Sequence, residues 1–577
     1  MTELLIKARA SQHNRPLPGL SPAVQRVMHN RGISAPNELE YSLKRLLPPH
    51  TLTNIDAAGM LLADAVMAGA NIVIIGDFDA DGATSCALAV RCLKAFGLNS
   101  VSYLVPNRFE FGYGLSPEIV GVAAMRQPDI LVTVDNGISS VGGVHAAQAL
   151  GMSVLVTDHH LPGEEIPTAD VIVNPNLPGD RFASKNLAGV GVIFYVMLAV
   201  RAQLRQQNWF ANQGIAEPNM SQFLDLVALG TVADVVPLDA NNRILVQQGM
   251  QRIRQGMACP GIQALLTVGK RNAARLSSSD LGFAVGPRLN AAGRLDDMAL
   301  GIECLLTEDV DAAMAMALQL DELNQQRRDV ERSMQQDALA IVEQVQLDGD
   351  DDDLPAILTL SDATWHQGVV GLVASRIKER VHRPVVALAP GDNEGEWKGS
   401  ARSVDGIHMR DLLARVDALY PDLITKFGGH AMAAGLSVTD ANLAAFTQAL
   451  AKVATEMTQN HDWRQIVWTD GSLDATEYSE EIAEQLRTMT PWGQGFPEPL
   501  FEGEFDVLEA RVVGDTHAKM VLRPSASNQP LDAICFGYLD SHAELPSGRI
   551  FAAFQLDVNE FRDRRTLQLM VKHIYPA

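Results

Sequence analysis

From Asn71 to Asp81 the chain reads NIVIIGDFDAD, an apolar strand-like run that ends in three carboxylates on alternate residues, Asp77, Asp79 and Asp81. The pattern recurs. ILVTVD ends at Asp135, followed by Asn136 and Gly137, and SVLVTDHH ends at Asp158, His159 and His160. Short, continuously apolar, β-branched runs of this kind read as buried strands of a parallel sheet, which gathers ligands at the carboxyl ends of its strands. A single Asp-Gly pair after a strand is ordinary turn chemistry. Five or more carboxylates and two imidazoles at neighbouring strand ends repel one another unless divalent cations neutralise them. The same feature therefore constrains fold and chemistry: a parallel α/β domain with a metal centre along one sheet edge.

The surrounding sequence supports that reading. Between residues 71 and 173 the strand-like runs NIVII, SVSYLV, ILVTV, SVLVT and VIV alternate with helix-like stretches such as CALAVRCLKAF and VHAAQAL. At 577 residues the chain is too long for one core. We read residues 1–50 as an N-terminal segment with no assigned role and 51–307 as the catalytic α/β domain. Residues 308–353 read as a long connecting helix with an acidic linker, DGDDDD. Residues 354–465 read as a smaller α/β domain, and 466–577, with its repeated short strands, as a small antiparallel OB-like barrel.

Bulk composition excludes several classes. No apolar span is long enough to cross a bilayer, and MTELLIKARA lacks the features of a secretory signal, so a cytoplasmic protein is expected. The five cysteines form no CxxC pair and give an odd count, which indicates neither a zinc knuckle nor a disulfide framework. The net charge of -23 argues against general adhesion to polyanions. A nucleic-acid substrate would need a local basic channel.

Further candidates lie outside the acidic clusters. Asn219–Leu238 reads as an apolar helix whose pattern breaks at Gly230 and then presents Asp234. GPRLNAAGRLDD, with Arg288, Asn290 and Arg294, reads as a phosphate-facing loop. KGSARS supplies Lys398, Ser400 and Arg402, and the paired glycines of FGGHAMAAG bring Gly429 beside His430. Arg108 and Tyr113 in PNRFEFGYG are candidates for contact with an entering strand. Phe561, Arg562, Arg564 and Arg565 in FRDRRT combine stacking with charge at a hairpin tip.

In order, DxDxDG, DNG, DHH and GTVAD resemble the motifs of the DHH phosphoesterase superfamily, and GGHAMAAG resembles its DHH-associated domain. PNRFEFGYG and PRLNAAGR look like the single-strand-specific exonuclease branch. A histidine of the pyrophosphatase branch is replaced by Ile75. The resemblance implies that Asp79 ligates one metal and Asp81 the other, and that Asp135 bridges both. His159 and Asp234 would complete the second site, Asp77 would supplement the first, and His160 would face the scissile phosphate. It also implies that Ser400, Arg402, Gly429 and His430 hold a terminal phosphate, with Arg376 and Arg288 as further substrate contacts.

Mixed carboxylate and imidazole ligands suit two Mn²⁺ or Mg²⁺ ions, the imidazole favouring Mn²⁺. The implied activity is two-metal hydrolysis of single-stranded DNA from its 5′ end into mononucleotides, in DNA repair and recombination. The implied partners are single-stranded DNA, a single-stranded-DNA-binding protein and a helicase. The alternative is a hydrolase of small phosphoesters: oligoribonucleotides, nucleoside bisphosphates, cyclic dinucleotides or polyphosphate. A catalytically silent binding protein would have no need of the complete acidic set.

Overall fold

The computed structural model describes residues 4–11, 15–106, 114–348, 354–540, 542–561 and 564–576. Arg108, Tyr113 and Arg562 lie outside the described residues, as does the acidic run after Asp348. The chain divides into two compact units, one of residues 6–290, 298–318 and 468–577, the other of residues 1–5, 291–297 and 319–467.

In the larger unit a five-stranded parallel sheet has the order Val101–Leu104, Ile72–Ile75, Ile130–Val134, Ser153–Thr157, Val171–Val173. Ile72–Ile75 and Ile130–Val134 are buried along their whole length, as strands covered on both faces must be. After Ile72–Ile75 the chain goes to one edge and then returns to the other side of that strand. The strand order thus switches between Ile72–Ile75 and Ile130–Val134, and a crevice opens at such a point outside the strand ends. Asp77, Asp79, Asp81 and Asp135 follow those two strands. The helix Ala80–Ala95 begins at once after Asp79, and its small residues (ADGATSCALA) are buried. They permit close packing against the helices Gly189–Gln206 and Leu224–Ala233.

Two local expectations are corrected here. Gly230 does not interrupt its helix, which runs from Leu224 to Ala233 with Asp234 as its C-cap. GPRLNAAGR is not a loop: one π-helical turn, Leu281–Val285, leads into the α-helix Gly286–Leu295. Glycine weakens a helix without forbidding it, and buried Ala284, Val285, Leu289, Ala291 and Ala292 supply the apolar face that holds this one.

The C-terminal strands of the same unit form a closed five-stranded barrel, in the order Phe501–Val513, His517–Pro524, Leu531–Cys535, Arg564–Pro576, Arg549–Phe561. All pairs are antiparallel except Leu531–Cys535 with Arg564–Pro576. Directions cannot alternate all the way round a ring of five strands, so one parallel pair is required and a wholly antiparallel barrel is excluded. Phe501, Phe505 and Phe554 fill its interior. A buried ion pair, Arg31 with Asp470 at 2.8 Å, joins the N-terminal segment to the approach of the barrel. Asp470 also accepts from Asn30 Nδ2 and the Leu500 N–H.

The smaller unit is a five-stranded sheet in the order Lys426–Gly429, Ala433–Thr439, Glu396–Arg402, Val385–Pro390, Leu358–Ser361, of which only the last two strands run parallel. The helix Val370–Val381 makes the crossover between them. Along Val385–Pro390, alternate side chains enter two cores. Val386 and Leu388 meet Leu412, Val416 and Phe446, while Val385, Ala387 and Ala389 meet Val373, Ile377 and the far part of the long helix Val310–Asp348.

Candidate metal centre and phosphate pocket

Backbone geometry aims each acidic side chain. Asp79 is the N-cap of Ala80–Ala95, and its Oδ1 accepts from the N–H groups of Asp81 and Gly82, both at 3.0 Å. Asp81, in the first turn, accepts from Gly189 at 2.6 Å and Val190 at 2.9 Å. Asp135 stands in left-handed backbone at φ 61°, a conformation tolerated by Asp and common at functional sites. Asn136 fixes that bend by donating to the carbonyls of Ile75 and Val134. Asn290 Oδ1 accepts from the Ala80 N–H at 2.7 Å, which anchors the start of the same helix.

Donor atoms of Asp77, Asp79 and Asp135 lie within 4.8 Å of one another, as do those of Asp81, His159 and Asp234, and those of Asp135, His159 and His160. His159 Nε2 is 3.1 Å from Asp135 Oδ1, 3.5 Å from Asp234 Oδ2 and 4.0 Å from Asp81 Oδ2. Asp158 stands apart from these groups. Its Oδ1 bonds His160 Nδ1 at 2.7 Å and accepts the N–H groups of His159 and His160, and its Oδ2 accepts from Ile138. The aspartate of the DHH triplet is therefore a scaffold for the two imidazoles.

The cluster gathers more carboxylates than the one imidazole held protonated, that of His160, can offset. Burial, then the charge of Asp234, pushes Asp81 up to about 7. Burial and Asp79 raise Asp234 to about 7, and its place at a helix C-terminus adds a further unfavourable dipole. Burial and the four carboxylates around it hold Asp135 well above the usual range, while burial and the charge of His160 lower His159. For His160 burial opposes protonation, but the hydrogen bond and charge of Asp158 outweigh it and raise the imidazole to about 9. His159 Nε2 and Asp234 Oδ2 are buried without a hydrogen-bond partner. Buried polar atoms left unpaired are costly, and a pair of divalent ions would satisfy both atoms and the excess negative charge. The oxygen and imidazole donor set fits Mn²⁺ or Mg²⁺.

In the smaller unit Ser400 and Arg402 lie two residues apart on one strand and so share a face. Arg402 Nη1 donates to Ser400 Oγ at 2.8 Å and to the Ala401 carbonyl, and among the described residues the guanidinium has no carboxylate partner. Burial lowers its pKa. Gly429 and His430 end the neighbouring hairpin, whose second strand pairs Ala433 with Arg402 and Gly435 with Ser400. The His430 N–H is already taken by the Ala433 carbonyl at 2.8 Å, so that amide is not the anion donor that the paired glycines suggested.

Other candidates are engaged elsewhere. Arg376 pairs with Glu331 at 3.1 Å and Glu379 at 3.5 Å, Lys398 pairs with Asp392, Arg565 pairs with Glu484 at 3.1 Å, and Arg288 Nη1 donates to the Ala284 carbonyl.

Comparison with known proteins follows the same division. Three family models match: DHH family, N-terminal domain over residues 71–231, DHHA1 domain over 354–456, and RecJ OB domain over 469–573. The single-stranded-DNA-specific exonuclease RecJ of Salmonella typhimurium is 50% identical over 99% of this chain and 99% of its own length. That of Escherichia coli is 50% identical over 100% and 99%. The chain belongs to the RecJ family. Among solved structures, RecJ of Thermus thermophilus in complex with Mn²⁺ covers 100% of this chain and 80% of its own at 27% identity and TM-score 0.79. The Mg²⁺ complex of the same protein gives TM-score 0.74.

Several supporting residues of this RecJ-family centre escaped the sequence analysis. Asn174 donates to the His160 carbonyl and Asn176 to that of His159, so NPN after the last strand holds the DHH turn. A Cβ on Gly189 would lie 2.5 Å from Asp135 Cβ, and one on Gly230 would lie 2.2 Å from Thr84 Oγ1 and 2.9 Å from Asp81 Oδ1. Asn-Pro-Asn following a strand was a usable signal. The two glycines carried none, because what they make room for is distant in sequence.

Proposed function

We infer that the chain is a metal-dependent exonuclease of single-stranded DNA that works from the 5′ end and releases mononucleotides. The observation that carries this reading is the pair of donor groups that meet at Asp135 and His159, in a chain whose C-terminal strands form a closed nucleic-acid-type barrel. Bound ions of this kind activate water, polarise the phosphoryl group and shield the leaving oxygen. In this scheme Asp77, Asp79 and Asp135 would hold one ion, and Asp81, His159 and Asp234, with Asp135 beside His159, would hold the other. Asp158 fixes His160, whose protonated imidazole donates to a phosphoryl oxygen and stabilises its charge. Ser400 and Arg402, beside Gly429 and His430, take the terminal phosphate through charge-assisted hydrogen bonds.

We keep residues 51–307, 354–465 and 466–577 as the hydrolytic, phosphate-holding and strand-holding divisions. A single-stranded-DNA-binding protein and a helicase fit as partners, because the substrate must be presented unpaired. A reducing cytoplasm fits five cysteines that are all buried and free; no described helix is long and apolar enough to cross a membrane.

End-labelled DNA and RNA oligonucleotides, single-stranded, duplex and circular, incubated with Mn²⁺ or Mg²⁺ test the reading. Stepwise shortening of linear single-stranded DNA from its 5′ end is expected. Shortening from the 3′ end, cutting of circles, or a preference for di- and trinucleotides of RNA would overturn it.

A further inference from the structure

The helix Leu224–Ala233 delivers Asp234 to the metal centre as its C-cap, with Oδ2 3.5 Å from His159 Nε2. The next residue, Val235, turns the chain out of the helix in left-handed backbone at φ 63°. Its N–H bonds the Val232 carbonyl, and that of Asp234 bonds the Gly230 carbonyl. Left-handed residues commonly end helices, but glycine or asparagine usually holds the place. Among the described non-glycine residues with positive φ, Val235 is the one β-branched side chain, and for such a residue that region is an outlier. Strain of this kind persists only where the surroundings impose it, and it clusters at functional sites.

The surroundings account for the turn. Behind it, a Cβ on Gly282 would lie 3.4 Å from Val232 Cγ1 and one on Gly286 3.2 Å from Ala233 Cβ, so the helix end is packed against Leu281–Val285 and the start of Gly286–Leu295. Ahead of it, Pro237 keeps Val236 out of the helical region, and the Leu238 N–H is held by the Gln494 carbonyl at 2.7 Å. They do not account for valine. Glycine would make the same turn without strain, and the isopropyl group is not recruited to a core, Val235 being 63% exposed. An exposed valine is ordinary by itself. One kept in strained backbone, next in the chain to a candidate metal ligand, points to a use outside the folded chain.

We propose that Val235 is a specificity-determining residue whose isopropyl group packs against the deoxyribose beside the scissile phosphate. The centre takes the phosphate, so the sugar is the part of the strand that comes next, and in DNA its 2′ carbon carries only hydrogen. An aliphatic contact there is favourable, whereas the 2′ hydroxyl of RNA would lose water without gaining a partner. The proposal rests on reading the chain as a nuclease of single-stranded DNA with Asp234 at its metal centre. Its test compares kcat/KM for DNA and RNA single strands of one sequence, in Mn²⁺, for the full-length protein, Val235→Gly and Val235→Thr.

Val235→Gly relieves the backbone and removes the contact. Its Tm should hold or rise, its Mn²⁺ affinity by calorimetry should hold, and its preference for DNA should shrink by about tenfold or more, the lower end of what one aliphatic group contributes in an apolar contact. Val235→Thr keeps the branching and the strain but puts a hydroxyl in place of a methyl group, so it should also narrow the preference. If Val235→Gly loses the preference and Val235→Thr keeps it in full, stiffness of the turn and not an apolar contact is responsible, and the proposal fails. It fails equally if Mn²⁺ affinity drops with activity, since Val235 would then act only by aiming Asp234. A lowered Tm in Val235→Gly, or unchanged discrimination in both variants, would also overturn it. A full-length protein that hydrolyses RNA as fast as DNA would overturn the underlying reading, and the proposal with it.

Discussion

Asp135 is placed by three constraints that act independently: a left-handed φ of 61°, an adjacent asparagine that ties two strand ends, and a glycine neighbour that admits its Cβ. Because it belongs to more than one donor group, Asp135→Ala should lower kcat by about a thousandfold or more, the scale expected when a shared metal ligand is lost. Near-normal turnover by folded variant protein would refute the assignment. His160→Ala should instead slow hydrolysis while calorimetric Mn²⁺ affinity stays near that of the parent, and His159→Ala should lose both. The carboxylates also set a pH dependence. Asp81 and Asp234 stand at about 7 in the metal-free protein, against an unfolded value of about 4. Such raised groups stabilise the fold fully below the unfolded pKa, and that stability is lost as pH rises through 7. Tm of the metal-free protein should therefore fall between about pH 4 and about pH 7, and saturating Mn²⁺ should oppose that fall by binding the deprotonated carboxylates. A metal-free Tm that rises across this window would contradict the raised pKa values.

At the scale of elements, Gly189 opens one helix against Asp135, and Gly230 lies within another against Thr84 and Asp81. Gly189→Ala is an overpacking substitution, with an expected cost of about 1–3 kcal/mol. Because the added methyl meets Asp135 itself, Mn²⁺ affinity should fall more than Tm does. Loss of stability with unchanged affinity would show that the strand end moves as a body. These positions also mark what the sequence could convey. The parallel strands and the acidic residues behind them were legible because burial on both faces writes a continuous apolar run and each carboxylate follows within one to six residues. Gly286–Leu295 was not, since its glycines mimic a loop and its apolar stripe is explained only by distant partners. The same holds for Arg376, whose ion pair with Glu331 joins residues far apart in the chain, and for the parallel closure of the barrel, which follows from strand count and not from any residue.

For the whole molecule, the barrel is not an appendage that can be removed cleanly. The Arg31 and Asp470 side chains are 2% and 1% exposed, and the carboxylate also serves Asn30 and Leu500. A chain ending before Asp470 would lose the carboxylate, the Pro497 carbonyl and the Trp492 ring that enclose Arg31. Removing one partner of a buried pair costs about 3–5 kcal/mol. Asp470→Ala should lower stability by that amount in chemical denaturation, and adding Arg31→Met should restore much of it, because the unpaired charge is then gone. A loss below about 1 kcal/mol, the range of surface pairs, would mean that water reaches Arg31. The contribution of the barrel to strand binding is therefore better measured in the intact chain by salt dependence. With a net charge of -23, the protein can hold a polyanion only through local cationic contacts. Each phosphate neutralised on a single strand contributes about -0.7 to the slope of log K against log salt. Long single strands should show a steeper slope than a dinucleotide, while the metal centre and the Arg402 pocket serve both. Equal slopes for the two lengths would confine all binding to those two sites and leave the barrel without a part in holding the strand.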